Sequence, residues 1–201
     1  MEFRQAARSW LAENKQHAPP DYGPILPPGL RDAACAWQRR MADAGCVLFD
    51  LAEDDKAVWL EACAAAGVPP VLNMVGLVLT ANALLSFGTE SQRELLAPTG
   101  RGDIVWCQLF SEPDAGSDLG ALSTAAVLDG DEWVVNGQKT WSSNASAADS
   151  GILLASIAAG GSIACTPGVR RGSFFEWMDE LHPTWYTAVP TVHQLIEICR
   201  I

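Results

Sequence analysis

The residues with the clearest capacity for chemistry lie between Trp106 and Ser143. An apolar, β-prone run from Ile104 to Phe110 stops at a cluster of turn formers. Ser111, Pro113, Asp114, Gly116 and Ser117 then supply short hydroxyls and free backbone N–H groups, which can hold an anionic or hydrogen-bonding edge of a cofactor. Asp129-Gly130 marks a hairpin between Thr124–Leu128 and Glu132–Val135, and Asn136-Gly137 marks a second turn. This meander delivers Trp141, Ser142 and Ser143 together, and an indole beside two hydroxyls suits a flat heteroaromatic ring that needs stacking and polar contacts. The same residues also fit a β-domain with an ornamented loop and a core tryptophan, since tight turns and buried indoles are common.

Helices must come before this segment. Glu2–Lys15 has Phe3, Ala6, Ala7, Trp10 and Leu11 on one face. A proline-rich connection from His17 to Gly29 leads to a second helix, Leu30–Ala44, with Ala34, Trp37, Met41 and Ala44 inward and Gly45 as its stop. Leu51–Ala66 is a third helix, ended by Gly67 and Pro69-Pro70. Val71–Phe87 is a fourth, apolar on most faces and therefore central. Ser91–Leu96 is a short fifth, and Pro98-Thr-Gly-Arg-Gly102 leads into the strand. Helices followed by antiparallel strands make an α+β chain.

Composition narrows the function classes. A net charge of −11 over 201 residues argues against nucleic acid as a partner, because polyphosphates need a basic face. The six cysteines, Cys35, Cys46, Cys63, Cys107, Cys165 and Cys199, form no Cys-x-x-Cys pair. The histidines, His17, His182 and His193, stand in no ligand spacing to them, so neither a metal nor a disulfide framework is expected. Met1-Glu-Phe-Arg does not read as a signal peptide, and reduced thiols in the cytoplasm are the expectation. Ala62–Thr89 carries no charge, but Pro69-Pro70 divides it and Asn73 and Asn82 punctuate it, which predicts a buried helix and no membrane span.

Leu109-Phe-Ser-Glu-Pro-Asp-Ala-Gly-Ser-Asp-Leu119, followed by Gly130-Asp-Glu-Trp-Val-Val-Asn-Gly-Gln-Lys-Thr-Trp141, resembles the middle-domain signature of the acyl-CoA dehydrogenases. Trp37-Gln-Arg-Arg-Met41 and Gly88-Thr-Glu-Ser-Gln-Arg93 look like that family's helical landmarks. The resemblance implies FAD as cofactor, an acyl-CoA thioester as substrate and an electron-transfer acceptor as partner. It implies that Gln108, Leu109, Phe110, Ser111, Gly116 and Ser117 line the flavin, with Ser117 also facing the CoA portion of the substrate, and that Trp141, Ser142 and Ser143 cover the ring. It divides the chain into a helical domain, 1–101, and a partial flavin-binding β-domain, 102–150. Three departures accompany it. Asp114 stands where the family has glycine; an aromatic-Pro…Tyr-Gly-Gly loop expected between Gly45 and Gly67 is missing; and no residue can be nominated as the catalytic base, which the family takes from a C-terminal helical domain. Glu112 belongs to the motif as a structural carboxylate.

The last segment, 151–201, changes character. Gly151–Pro167 reads as an apolar helix, a Gly-Gly turn and a buried strand. Ser173–Leu181 reads as an amphipathic helix, Thr184–Pro190 as a strand and Val192–Cys199 as a final helix, so the unit is a small α/β one. Ala158-Ala-Gly-Gly-Ser, Thr166-Pro-Gly168, Phe174-Phe-Glu-Trp177 and Pro183-Thr-Trp-Tyr-Thr-Ala-Val-Pro-Thr191 resemble the interior of AMP-forming acyl-CoA synthetases, without that family's phosphate loop. The whole chain is then expected to be a shortened or fused dehydrogenase with little activity of its own.

Overall fold

The computed structural model describes residues 2–116 and 121–157. The synthetase-like elements expected beyond residue 157 lie outside the described residues. The chain divides into two compact units, Met1–Leu109 with Trp141–Leu153, and Phe110–Thr140 with the residues from Leu154 onward.

The first unit is helical and built around indoles. Helices α1 (Glu2–Asn14), α2 (Arg31–Asp43) and α3 (Glu53–Ala66) contribute Trp10, Trp37 and Trp59, with Trp10 ring centroids 5.3 Å from Trp37 and 5.8 Å from Trp59. Burying an indole requires an acceptor for its N–H. Trp37 Nε1 donates to the Pro69 carbonyl at 2.9 Å and Trp59 Nε1 to the Pro70 carbonyl at 3.2 Å, so the diproline both follows α3 and satisfies the core. The apolar stripes are close to those the spacing predicts. Ala7, Leu11, Ala34, Trp37 and Met41 are buried, but Ala6 and Ala44 are exposed: the α1 stripe is narrower, and α2 ends at Asp43.

The expected helix from Val71 begins later. Leu72 is held out of helical geometry because its N–H donates to the buried Gln38 Oε1 (2.9 Å) and its carbonyl accepts from the Tyr22 hydroxyl (2.7 Å). Asn73 Oδ1 then takes the Gly76 N–H at 2.6 Å, and the chain enters a π-helix, Val75–Thr80, before α4 (Ala81–Phe87). A Cβ on Gly76 would stand 2.9 Å from Trp106 Cδ1 and 3.0 Å from Asn73 Oδ1, so glycine permits this approach. Instead of one short helix there are two, α5 (Glu90–Arg93), opened by a Thr89–Gln92 capping box, and α6 (Leu96–Arg101). Pro98 is accepted in the first turn of α6, where no intrahelical N–H bond is lost. Among the described residues no helix is long and apolar enough to cross a membrane.

Strand β1 (Trp106–Leu109) belongs to this unit: Asn73 Nδ2 donates to the Trp106 carbonyl, and β1 pairs in parallel with β4 (Ser150–Leu153). Two expectations are corrected here. Residues 150–153 and 156–157 are strands rather than an apolar helix. The pairing is also not antiparallel throughout: β1 and β4 form a parallel pair, joined by the long excursion that parallel pairing requires, and the three-stranded sheet of the second unit mixes the two kinds. Run length alone cannot separate a short buried strand from a helix. Gly151 is set by its neighbour: a Cβ there would lie 2.6 Å from Leu109 Cδ1 and 3.1 Å from Cys107 Sγ. Gly151→Ala is accordingly expected to cost about 1–3 kcal/mol by overpacking. The measurement is a lowered urea midpoint with unchanged slope, and an unmoved midpoint would show that Leu109 yields freely.

In the second unit β2 (Ala125–Asp129) and β3 (Glu132–Asn136) form the predicted hairpin, turning at Gly130 with φ +63, and β2 also pairs in parallel with β5 (Ser156–Ile157). Val127, Leu128, Trp133, Val134 and Val135 are all exposed on it. The described cysteines, Cys35, Cys46, Cys63 and Cys107, are free and buried, and burial pushes the Cys63 thiol up to about 12. Such thiols are neutral and unreactive at neutral pH.

Candidate functional site

In the second unit the loop after β1 is built on one carboxylate. Glu112 is buried and every lone-pair direction of its carboxylate is used: Oε1 accepts from Thr124 N–H (2.9 Å) and Lys139 Nζ (2.8 Å), and Oε2 from Ser123 N–H and Oγ (both 2.7 Å). The Lys139 ammonium, with Ser123 and Thr124 donating beside it, holds this carboxyl far below its ordinary range. Glu112 is therefore an anion at neutral pH with no spare acceptor. It serves as a brace rather than a base, as its motif position suggests. Lys139 Nζ also donates to the Phe110 carbonyl at 2.9 Å, and the Thr140 N–H donates to the Ser111 carbonyl at 2.8 Å. Phe110 and Ser111 are thus tied to the segment that leaves the hairpin. Glu112 and Ala115 exchange backbone bonds across the Pro113-Asp114 turn. Asp114 is exposed and is not among the positive-φ residues, so aspartate sits at this turn without backbone strain. Gly116 is exposed, and Ser117 lies outside the described residues.

In the first unit Gln108 and Leu109 sit on β1, and the turn from Trp141 to Asn144 lies beside them: the Gln108 N–H donates to the Ser143 carbonyl at 3.3 Å. Trp141 is 89% exposed with φ +53, so it is not a core tryptophan. A non-glycine residue in the left-handed region costs on the order of 1 kcal/mol. Asn144 is a second such residue, with φ +68. The hydroxyls of Ser111, Ser142 and Ser143 are on half-buried residues and have no hydrogen-bond partner among the described residues. Thr140 Oγ1 is fully buried and has no hydrogen-bond partner among the described residues either. The sequence signal singled out the hydroxyls and the indole but missed Lys139, Ser123, Thr124 and Asn144. A lysine in a polar turn looks solvated until its carboxylate is located. No group of three or more His, Cys, Asp or Glu side chains among the described residues could hold a metal.

Residues 107–173 match the acyl-CoA dehydrogenase middle domain, a match that runs past the expected boundary at residue 150. The chain is 37% identical over 157 residues to the acyl-CoA dehydrogenase IpdE1 of Mycobacterium tuberculosis, covering 71% of this chain and 40% of that protein. It is 40% identical over 95 residues to the human mitochondrial short-chain specific acyl-CoA dehydrogenase, covering 47% of this chain and 22% of that one. Its fold is similar to the ChsE4–ChsE5 complex of Mycobacterium tuberculosis, with a TM-score of 0.58 and 29% identity over 77% of this chain and 41% of that one. Over the matched residues the chain is similar to acyl-CoA dehydrogenases. The chain spans about two-fifths of the length of IpdE1.

Proposed function

We propose that the chain holds FAD and serves the α,β-dehydrogenation of an acyl-CoA thioester, passing electrons on to an acceptor protein. The observation that carries this is Trp141: an indole 89% exposed on left-handed backbone, next to Ser142 and Ser143, inside the matched middle domain. The donor set fits a flavin. In the first unit Trp141 offers an apolar face beside the unengaged hydroxyls of Ser142 and Ser143, and in the second Ser111 offers another hydroxyl. The resemblance supports Gln108, Leu109, Phe110 and Gly116 as further cofactor residues of this proposal, with Ser117 also assigned to the CoA portion. FAD, when bound, supplies the hydride acceptor. The protein's share is to hold the ring in place, orient the thioester and exclude water.

A second reading, binding without turnover, is favoured by Glu112. This buried motif carboxylate is saturated by Lys139, Ser123 and Thr124 and cannot accept a substrate proton. One experiment separates the two. The purified chain is given FAD, its visible spectrum is recorded, and a series of acyl-CoA thioesters is added without oxygen. A bound flavin that bleaches is the expected result. A bound flavin that stays oxidised with every thioester leaves the binding module, and no bound flavin sinks both.

A further inference from the structure

Among the described residues, the turn that presents Trp141 is held by one side chain. The other bonds that fix residues 141–144 run through the backbone: Gln108 N–H to the Ser143 carbonyl, Ala145 N–H to the Ser142 carbonyl at 3.0 Å, and Ala147 N–H to the Asn144 carbonyl at 3.0 Å. Asn144 differs. It is 4% exposed, its backbone is left-handed, and its Oδ1 accepts the N–H of Leu26 at 2.7 Å, across 118 residues of sequence. Leu26 is itself 1% exposed and belongs to the core. The proline-rich connection ahead of α2 therefore reaches the turn through a single amide. Arg31 Nε and the Arg31–Asp149 ion pair make a separate tie beyond the turn, to the Ala147 carbonyl and the Asp149 carboxylate.

We infer that Asn144 is a positioning residue for the cofactor: anchored to Leu26, it fixes the direction in which Trp141 and Ser143 are presented. This rests on the FAD reading above. Asparagine suits the task because it tolerates left-handed backbone and carries a carbonyl short enough to reach a neighbouring N–H. Glycine at 144 would keep the backbone and remove the acceptor, leaving the buried Leu26 N–H unpaired. Aspartate would keep both backbone and acceptor.

The test is FAD affinity of the whole chain by flavin fluorescence titration, with thermal unfolding followed in parallel. N144G is expected to weaken FAD binding about tenfold, the scale of one lost buried hydrogen bond. N144D is expected to stay near wild type, and R31A to lower the unfolding midpoint without weakening FAD. An N144G chain that binds as wild type does, or an R31A chain weakened as much as N144G, overturns the inference. Amide exchange at Leu26 needs no variant: FAD saturation is expected to slow it, and an unchanged rate also overturns the inference. If the wild-type chain binds no FAD, the cofactor reading falls and takes this one with it, a result distinct from wild-type binding that N144G leaves intact.

Discussion

Lys139→Met is expected to be the most damaging single substitution in residues 110–140. The Lys139 and Glu112 side chains are 8% and 2% exposed, so the pair is shielded from water. Removing the ammonium leaves a buried carboxylate held only by Ser123 and Thr124, and frees the Phe110 carbonyl. Breaking a buried pair from one side is far more costly than replacing both partners, and the thermal midpoint should fall on the order of 10 °C. The double variant K139M/E112Q should recover part of that loss, and a double variant no better than K139M would mean the pair is not coupled. The pair also sets a pH dependence. Glu112 binds its proton far more weakly folded than unfolded, where its ordinary value is 4.5. The stabilisation is therefore complete above that value and is lost as the pH falls below it. Unfolding midpoints measured from neutral pH into acid should drop steeply for wild type and less steeply for K139M. Parallel curves would remove the ion pair as the cause.

Trp141→Ala is expected to have the largest effect on the cofactor and almost none on the fold. An aromatic stacking partner is worth about 1–3 kcal/mol, or roughly ten- to a hundredfold in Kd. An 89% exposed indole contributes little to packing, so the unfolding midpoint should stay where it is. The contrast is with Trp37 and Trp59, at 1% and 0% exposure, where alanine would open the core and cost about 3–5 kcal/mol. Equilibrium dialysis of FAD against wild type and W141A decides the matter, and equal binding would leave Trp141 without a function.

Local features were legible from sequence. The Asp129-Gly130 turn, the stripes of α1 and α2 and the Gly67 stop are each written in a few adjacent residues, and each stands within a residue or two of its expected place. Features set at a distance were not. Val71–Asn73 reads as helix because nothing nearby reveals that Gln38 takes the Leu72 N–H. Residues 150–153 form a strand because β1 lies open to them, a fact of pairing and not of propensity. At the site, Ser111 and Trp141 stood out by residue type. Lys139 and Asn144 did not, because their importance comes from Glu112 and Leu26, far along the chain.

The route of the chain through the first unit has a consequence for how the protein is made. Residues 1–109 hold the helices and β1, but the partners of Leu26, Arg31, Val105 and β1 are Asn144, Ala147, Asp149 and β4. A chain emerging from the ribosome thus presents its indole-lined helices well before the strand that closes them exists. Contacts this far apart in sequence form slowly, and the nascent helices stay exposed to misassembly until they do. Release of residue 153, rather than completion of the last helix, is the moment from which this unit can reach its native state.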